Sequence, residues 1–529
     1  MKTLAEELFK EFREYSVSEF FRKNAAMLGY TGKIRSLTTV VHEGVTNAID
    51  AAEEAGILPE ITVAIRRVDE DPEHLKVVIE DNASGIPEEF IPHVFGKMLA
   101  GTKLHRNMQS RGQQGIGIVG ATLFAQMTSG KPTRVVTSAG DGEIVCADVM
   151  IDVDKNEGRM MNIKKLKGDW RGTKVELELK EVRYERSRYG PYNYLRMTAI
   201  ANPHTRITFI EPDGKLTVFE RATDSVPERP RPMLPHPWGV TADDLLALAA
   251  RTKSRTVAEL LISELSRMTK CKMEEVGRLS GVNLKKKPSE LTWEDAEKIV
   301  SAFKQIKFMA PPTSGLRPIG KEDIEKGLRQ MLNPEFVYAV TRQPKVYRGG
   351  IPFIVEAGIA YGGGAGRKEG EGEVKVEGLD LIRFANRAPL VFDQGGCAIT
   401  LAAKSIDWRN YKYIDIATAP LTLFVNVVSA YVPYTSAGKQ SIADEPEVFE
   451  EIKLAIMAVA RELNRYLGRG ELARERRRRA EIFQKYLPII ARKAASLAGV
   501  QEPDIGLLLK RVRREEEIGE KDEGRKDGS

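Results

Sequence analysis

Cysteine is scarce in this chain of 529 residues. Its three cysteines, Cys146, Cys271 and Cys397, stand far apart in the sequence. A disulfide framework needs several pairs, and a Cys-x-x-Cys metal site needs two cysteines close together, so the sequence excludes both. Such cysteine usage is typical of a reducing compartment, and we expect a cytoplasmic protein.

Long apolar runs are also missing. No uninterrupted run approaches the length of about 18 residues that a membrane-spanning helix requires. The first residues include Glu6 and Glu7, where a secretory signal peptide would have its apolar core. We therefore expect neither a membrane span nor a signal peptide, and no membrane partner.

The composition indicates a globular protein with a charge-rich surface. Hydrophobic residues make up 42% of the chain and charged residues 29%. The net charge of +6 permits contact with nucleic acid without requiring it. At about 150 residues per domain, the length predicts roughly three or four domains.

Proline clusters mark the first domain boundaries. Residues 36–225 alternate helical and strand patterns, and five prolines between Pro227 and Pro237 then break any helix or central strand. Residues 240–307 have helical periodicity with almost no strand signal. A second break at Pro311 and Pro312 follows.

The second half of the chain returns to a mixed pattern over residues 316–445. An amphipathic helix is predicted for Glu447–Leu467, followed by a charged helical segment, Leu472–Leu497, and a polar tail from about Glu515 that we expect to be disordered. The predicted domains are 1–226 with an N-terminal arm, 227–310, 311–470 and 471–529.

The segment Ser36–Gly56 is predicted to be a helix with reactive groups on its polar side. Glu43, Asn47 and Asp50 fall together at i, i+4 and i+7, opposite the apolar stripe. A carboxylate can act as a general base, and an amide oxygen one turn away suits Mg²⁺, which prefers oxygen ligands. Alone, this stripe is better explained by a helix that merely exposes polar residues.

Three further signals follow along the chain. A predicted β-hairpin leads into Asp81 and Gly85, where a carboxylate before a tight turn can accept a hydrogen bond from an exocyclic amine such as that of adenine. The glycine-rich loop from Gly112 to Gly117 opens an apolar helix, whose free N–H groups and dipole suit phosphate. Thr173 places a hydroxyl at the start of a predicted strand. Each signal is weak by itself.

Together these elements read Glu-x3-Asn-x2-Asp, Asp-x3-Gly, Gly-x2-Gly-x-Gly and Gly-Thr, in that order. This order resembles the ATP-binding domain of the GHKL superfamily, which includes gyrase-type topoisomerases, a heat-shock chaperone, histidine kinases and mismatch-repair ATPases. The resemblance implies a GHKL (Bergerat) α/β sandwich that binds ATP and Mg²⁺. In one departure, Ala83 stands where the superfamily usually has the first glycine of the turn.

The resemblance also implies roles for single residues. Glu43 would activate the attacking water, and Asn47 would be the Mg²⁺ ligand. Asp81 would bind the adenine amine, with Thr173 near the ring. Asp50 and Gly85 are expected in the same nucleotide site.

A lid over the phosphates is implied as well. Its residues would be Gly112, Gln113, Gln114, Gly115, Ile116, Gly117, Ile118 and Val119. Thr102 and Lys103 precede this lid and are expected to line the nucleotide.

Segments in the second half narrow the resemblance. Arg383–Leu390, Phe392–Gly396 and the small-residue loop around Lys439 are similar to the B subunit of type IIB DNA topoisomerases (topoisomerase VI), and the similarity extends to about residue 470. It implies an α+β multidomain fold: a GHKL ATPase domain, a small all-α helix–two-turns–helix domain, an α/β transducer domain and a helical C-terminal segment. Lys439 matches the transducer lysine that reaches the γ-phosphate.

In that family, ATP binding dimerises two B subunits into a gate, and a separate A subunit cuts both strands of duplex DNA. We therefore expect an ATP-hydrolysing subunit of an A2B2 heterotetramer that acts on double-stranded DNA. An alternative is a GHKL-type ATPase clamp of the repair or chaperone kind, which leaves residues 240–307 unexplained. A nucleotide-sensing scaffold without catalysis is a third hypothesis, and Glu43 argues against it.

Overall fold

The computed structural model describes most of the chain. The described residues are 25, 28–98, 107–112, 115–153, 155–366, 368–369, 375–376, 379–436 and 438–510. Most of the predicted N-terminal arm and the tail after Glu515 lie outside this set. Four predicted site residues, Thr102, Lys103, Gln113 and Gln114, also lie outside it.

An eight-stranded sheet forms the base of the N-terminal domain. Its strands are β1 (Glu60–Arg67), β2 (Leu75–Asp81), β3 (Thr133–Ser138), β4 (Glu143–Asp152), β5 (Glu157–Lys167), β6 (Gly172–Leu179), β7 (Arg206–Ile210) and β8 (Leu216–Phe219). They are ordered β5-β4-β3-β6-β2-β1-β7-β8, with β1 and β7 parallel. The predicted β1–β2 hairpin is present, and the pairing of β2 with β6 places Asp81 opposite Thr173.

Helices pack against this sheet: α1 (Lys33–Ala55), α2 (Ile91–Gly96), α3 (Gly117–Ser129) and α4 (Pro191–Ala201). The apolar stripe predicted for α1 is buried in the core, as for Leu37, Val41 and Val45. Gly44 allows α1 to approach β2 closely, because a Cβ at this position would lie 2.3 Å from the Ile79 Cδ1 atom. The polar side of α1 is thereby held along one edge of the core.

The middle of the chain forms a helical unit with its own core. Its helices are α5 (Ala242–Arg251), α6 (Val257–Glu264), α7 (Lys270–Ser280) and α8 (Trp293–Gln305). Each begins after a threonine whose hydroxyl accepts a hydrogen bond from a backbone N–H of the first turn: Thr241, Thr256, Thr269 and Thr292. The helical pattern predicted for residues 240–307 is confirmed.

A six-stranded sheet forms the third domain. Its elements are α9 (Lys321–Leu332), β9 (Phe336–Thr341), β10 (Lys345–Tyr347), β11 (Ile351–Tyr361), β14 (Leu379–Ala385), β15 (Ala388–Pro389), α10 (Ala398–Lys404) and β16 (Leu421–Ser429). Two short strands, β12 (Lys368–Glu369) and β13 (Lys375–Val376), pair separately. Strand β16 is buried along its whole length between antiparallel β11 and parallel β14. The predicted domain boundaries themselves stay a prediction.

The long C-terminal helix, α11 (Pro446–Ala498), is continuous over 53 residues. The sequence predicted two helical segments separated near Gly468, and the structure joins them. Gly468 allows the helix to pack closely against Tyr413, because a Cβ at this position would lie 2.6 Å from the Tyr413 ring. None of the helices that the structure describes is long and apolar enough to cross a membrane.

The first and third domains lie against each other. Arg35 of α1 donates two hydrogen bonds to Asp393, each of 3.0 Å, and its guanidinium lies 4.7 Å from the centre of the Phe392 ring. Helices α4 and α9 also pack closely, because Gly327 has no side chain to clash with the Ile200 carbonyl. The first and third domains are therefore in direct contact through both side chains and helix backbones.

A histidine between two carboxylates fixes the end of the β1–β2 hairpin. His74 Nδ1 lies 2.7 Å from Asp69 Oδ2, and Nε2 lies 2.9 Å from Glu178 Oε1. The hydrogen bond to Asp69 raises the pKa of His74, burial lowers it, and the bond to Glu178 raises it again, leaving the pKa above its ordinary value. The protonated imidazole therefore favours the folded state.

We expect His74→Gln to destabilise the protein more at acid than at alkaline pH. The stabilisation by His74 is complete below its unfolded pKa of about 6.5 and is lost as the pH rises through the higher folded value. The difference in melting temperature between wild type and variant should shrink from about pH 5.5 to about pH 9. Each kcal/mol of unfolding free energy that His74 ceases to contribute should reduce the difference by roughly 2–4 °C.

The matched control is His236→Gln in the middle domain. Burial lowers the pKa of His236, so its contribution to stability should increase as the pH rises through the range below about 6.5. If the melting-temperature difference between wild type and His74→Gln stays constant or increases with pH, a raised pKa of His74 in the folded protein is contradicted.

Candidate functional site

A cavity of about 710 Å³ opens between α1, α2, α3 and the ends of β2 and β6. Its walls include twelve of the predicted site residues: Glu43, Asn47, Asp81, Gly85, Gly112, Gly115, Ile116, Gly117, Ile118, Val119, Thr173 and Lys439. The structure therefore brings together residues that are hundreds of positions apart in the sequence.

Glu43 lies against the first turn of α3. A Cβ on Gly117 would be 1.8 Å from Glu43 Oε2, so glycine leaves room for the carboxylate in the position that it occupies here. Asn47, one turn further along α1, also lines the cavity, and a Cβ on Gly112 would lie 3.9 Å from its Oδ1 atom. The carboxylate and the amide thus face the start of the glycine-rich segment.

Asp81 is held at the end of β2 by two backbone groups. Its Oδ1 accepts hydrogen bonds from the N–H of Ala83 at 2.9 Å and the N–H of Thr173 at 3.2 Å. Burial raises the pKa of Asp81 to about 6, although these two hydrogen bonds lower it. Within the described residues, the hydrogen bonds to this side chain reach Oδ1, which leaves Oδ2 for a ligand.

The turn after Asp81 accommodates the alanine that departs from the superfamily pattern. Ala83 is buried, and its N–H is satisfied by Asp81. Gly85 has a φ of +72°, and a Cβ there would lie 2.1 Å from the Ser138 carbonyl oxygen. The turn thus requires glycine at residue 85 and accepts a methyl group at residue 83.

A buried threonine that the sequence did not single out supports this end of the cavity. Thr137 of β3 accepts a hydrogen bond from the N–H of Ile86 at 2.8 Å and donates one to the Gly172 carbonyl at 3.1 Å. Its hydroxyl also lies 3.3 Å from the hydroxyl of Thr173. No local pattern identifies Thr137, because its role depends on the pairing of β3 with β6.

His42 also lines the cavity, next to Glu43. Burial lowers the pKa of His42, Glu43 raises it and Lys439 lowers it, with a net decrease. Its ring lies 5.2 Å from the ring of Tyr194. We interpret His42 as a neutral packing neighbour of the carboxylate.

Lys439 enters the cavity from the third domain. Its Nζ lies 3.4 Å from the carbonyl oxygen of Arg111, a residue 328 positions away in the sequence. Its backbone has a φ of +51°, a left-handed conformation that non-glycine residues seldom adopt. The loop therefore holds a cation beside the start of the predicted lid.

Asp50 lies outside this cavity, in contrast to our expectation. Its carboxylate accepts a hydrogen bond of 2.6 Å from Arg111 and is buried. Asp50 shares the polar side of α1 with Glu43, but seven residues of helix separate the two by about 10 Å along the axis. The predicted polar stripe thus begins at the cavity, with Glu43 and Asn47, and ends in the buried ion pair of Asp50 with Arg111.

Two protein-family profiles match the chain. The profile of histidine kinase-, DNA gyrase B- and HSP90-like ATPases matches residues 32–182. The profile of the topoisomerase VI B-subunit transducer matches residues 311–479, which include Lys439.

Curated relatives extend the similarity over nearly the whole chain. The B subunit of type 2 DNA topoisomerase 6 from Thermococcus sibiricus is 52% identical over 554 residues, covering 96% of this chain and 95% of its own. The proteins of the same name from Thermococcus kodakarensis, 54% identical, and Methanothermobacter thermautotrophicus, 52% identical, cover 95% and 97% of this chain and 94% and 98% of their own.

The chain belongs to the family of type 2 DNA topoisomerase 6 B subunits.

Membership of this topoisomerase 6 family confirms the predicted fold class and function. The chain has a GHKL ATPase domain, which binds ATP, and a transducer domain, and its role is that of the ATP-driven B subunit of a type IIB topoisomerase. The alternative of a repair or chaperone clamp is set aside, because the similarity includes the middle helical domain.

In this topoisomerase 6 family member, we expect Gly117→Ala to displace the Glu43 carboxylate and lower ATP turnover. The added Cβ would lie 1.8 Å from Glu43 Oε2, so one of the two groups must move. A displacement of about 1 Å at a reacting group can reduce the rate by about 10²-fold. Steady-state ATPase assays would measure the effect.

Gly112→Ala is the control in the same loop, because its Cβ would meet Asn47 Oδ1 at an ordinary 3.9 Å. Equal losses of turnover in the two variants would contradict the role of the Gly117–Glu43 contact.

Proposed function

We propose that this cavity binds ATP together with Mg²⁺ and hydrolyses it, with Glu43 activating the attacking water. The observation that carries the proposal is that Glu43, Asp81, the start of α3 and Lys439 line one cavity. In this proposal these residues supply a base, an adenine acceptor, a phosphate-binding helix end and a cation to one nucleotide.

The adenine end of the site is proposed to be Asp81. One of its oxygens is fixed by the N–H groups of Ala83 and Thr173, so the carboxylate is already oriented before the ligand arrives. Its second oxygen can accept a hydrogen bond from the exocyclic amine of adenine, which guanine does not offer at that position. A buried acceptor of this kind discriminates strongly, because the wrong base leaves it unpaired.

The phosphate end is proposed to be the first turn of α3, after the glycine-rich segment. The first N–H groups of an α-helix have no partner within the helix, and together with the positive end of the helix dipole they would attract the triphosphate here. Glu43 accepts a proton from water as the water oxygen attacks the γ-phosphorus. The bond from the γ-phosphorus to the β–γ bridging oxygen breaks, and ADP leaves with inorganic phosphate as the second product.

Asn47 is the proposed protein ligand of Mg²⁺. Mg²⁺ usually keeps several waters and is bound by one or two protein oxygens together with substrate phosphates. Among the described residues, no cluster of three or more His, Cys, Asp or Glu could hold a metal alone, and an amide oxygen in the cavity wall fits a cation that arrives with the nucleotide. When bound, Mg²⁺ would offset negative charge on the triphosphate.

Lys439 is proposed to contact the γ-phosphate and to report its presence to the transducer domain. Its side chain is flexible and carries a compact charge, which suits a group whose charge changes on hydrolysis. Its position beside Arg111, at the start of the lid, supports this role.

We assign the biological reaction to an assembly rather than to this chain alone. ATP binding is proposed to join two copies of this chain into a gate, in an A2B2 complex with a DNA-cleaving A subunit. One double strand of DNA would pass through a break in another, and hydrolysis would reset the gate. The family relationship supports these partners.

We expect Glu43→Ala to leave ATP binding within about threefold and to lower turnover by about 10²–10⁴-fold, the usual effect of removing a general base. The matched control is Glu54→Ala, which removes another carboxylate from the same helix and cavity, about 16 Å further along the axis. Near-wild-type turnover in the Glu43 variant, measured by phosphate release, would refute the assignment.

We expect Lys439→Ala to lower ATPase activity and strand passage together while leaving the affinity for ADP unchanged. A cation that stabilises developing charge contributes about 3–4 kcal/mol, and ADP lacks the phosphate that it contacts. Lys404→Ala, an exposed lysine of the same domain, is the control and should change nothing. Equal losses of ADP and ATP affinity in calorimetry would instead indicate general damage to the fold.

A further inference from the structure

A buried cluster of charges joins the ATPase and transducer domains at a distance from the reacting groups. It contains two carboxylates of α1, Asp50 and Glu53, and two guanidiniums, Arg111 and Arg387. The side chains of all four are at most 14% exposed. The hydrolysis of ATP described above makes no use of this cluster.

Glu53 is the centre of the cluster. Its Oε1 lies 2.8 Å from Arg111 Nη2, 2.9 Å from His204 Nε2 and 3.8 Å from Arg387 Nη1. Each of these neighbours comes from a different part of the chain. One carboxylate oxygen thus connects the segment before the lid, the loop after α4 and the transducer domain to helix α1.

Arg111 ties the start of the lid to the cluster. Its side chain pairs with Asp50 and Glu53, and its own carbonyl oxygen accepts the hydrogen bond from Lys439. The next residue, Gly112, is the first residue of the predicted lid and lines the cavity. The Arg111 backbone is therefore adjacent to both the first residue of the predicted lid and the lysine contact.

Arg387 connects the transducer domain to Glu53. It lies in the turn between β14 and β15 with a φ of +69°, and its Nη2 donates to the Pro318 carbonyl at 3.1 Å. Its backbone N–H donates to Asn426 of β16 at 3.1 Å. The turn is thus fixed to the central strand of the transducer sheet.

A second set of hydrogen bonds supports the same connection. Gln109 and Arg317 exchange two hydrogen bonds, of 2.9 and 2.7 Å, and Asn386 donates to the Ser110 carbonyl at 3.1 Å. The segment that precedes the lid is therefore held by the transducer on one side and by α1 on the other.

The charges of the cluster balance only when its members stay together. Burial would raise the pKa of Glu53, but Arg111, His204 and Arg387 lower it well below its ordinary range. Burial lowers the pKa of His204, which therefore pairs as a neutral ring. Separating one member would leave an uncompensated buried charge, which is strongly unfavourable.

We propose that Glu53 is a positioning residue that couples the start of the ATP lid to the transducer domain through Arg111 and Arg387. This connection is a second one, distinct from the contact of Lys439 with the γ-phosphate. It rests on the proposed ATPase function. Without the Glu53 connection, ATP is still hydrolysed, but the movement of the lid no longer drives the transducer.

The test uses the full chain assembled with its DNA-cleaving partner. Glu53→Gln and Arg387→Gln remove the central charge and its transducer partner, and the readout is the number of ATP molecules hydrolysed per DNA crossing removed. We expect this ratio to rise about tenfold, within the usual range of allosteric coupling, while turnover stays within about threefold of wild type. In the double variant, the number of ATP molecules hydrolysed per crossing should not exceed that of the more affected single variant, because both substitutions interrupt the same connection.

Arg35→Gln is the matched control. It removes another ion pair between α1 and the transducer, that with Asp393, which includes no member of the Glu53 cluster. The ratio should stay within about twofold of wild type, because this partly exposed pair involves neither Glu53 nor Arg111. Arg387→Lys retains a cation near Glu53 and should therefore retain most of the coupling that Arg387→Gln loses. If the Arg387→Gln effect came from lost packing instead, the lysine would not restore the coupling.

An unchanged ratio in Arg387→Gln, or an equal rise in Arg35→Gln, would overturn the proposal. Should Glu53→Gln fail to fold, the pair Arg387→Gln and Arg387→Lys carries the test, because it leaves Glu53 and Arg111 in place. A wild-type complex that hydrolyses no ATP would refute the proposed function itself. An active wild type with unchanged variants would refute only the coupling role of Glu53.

Discussion

Helix α1 has to meet the sheet on one side and the nucleotide cavity on the other, and two glycines make this possible. Gly44 lets the helix descend onto Ile79 of β2, and Gly117 leaves space for the Glu43 carboxylate at the start of α3. A Cβ at residue 44 would clash with the Ile79 side chain, so that either this side chain or the helix would have to move. A Cβ at residue 117 would force the Glu43 carboxylate or the start of α3 to move. The position of the proposed base thus depends on two close approaches between neighbouring elements.

The same helix continues into the joint between domains. Glu43 and Asn47 face the cavity, and Asp50 and Glu53 face the buried guanidinium of Arg111 one to two turns later. All four residues belong to one continuous helix, Lys33–Ala55, whose backbone hydrogen bonds are internal. The proposed reacting groups and the interdomain ion pairs thus lie on one helix, which is the structural basis of the coupling proposed above.

The sequence predicts features whose signals are local or whose order matches a known superfamily. The stripe of Glu43 and Asn47, the turn after Asp81 and the glycine-rich segment fall into this class, and the structure gathers them into one cavity. The partner of Asp50 and the support from Thr137 could not be predicted, because each depends on strands or loops that meet only in the fold. The continuity of α11 was missed for a similar reason: Gly468 serves contact with Tyr413, not helix termination.

The most direct test of the central claim is a crystal structure of the chain with a non-hydrolysable ATP analogue and Mg²⁺. The account predicts the adenine amine at Asp81, the triphosphate at the start of α3 and Lys439 Nζ within about 2.7–3.2 Å of a terminal phosphate oxygen. Glu43 should face the side from which water attacks. An analogue bound outside this cavity, or with its terminal phosphate remote from both Glu43 and Lys439, would contradict it.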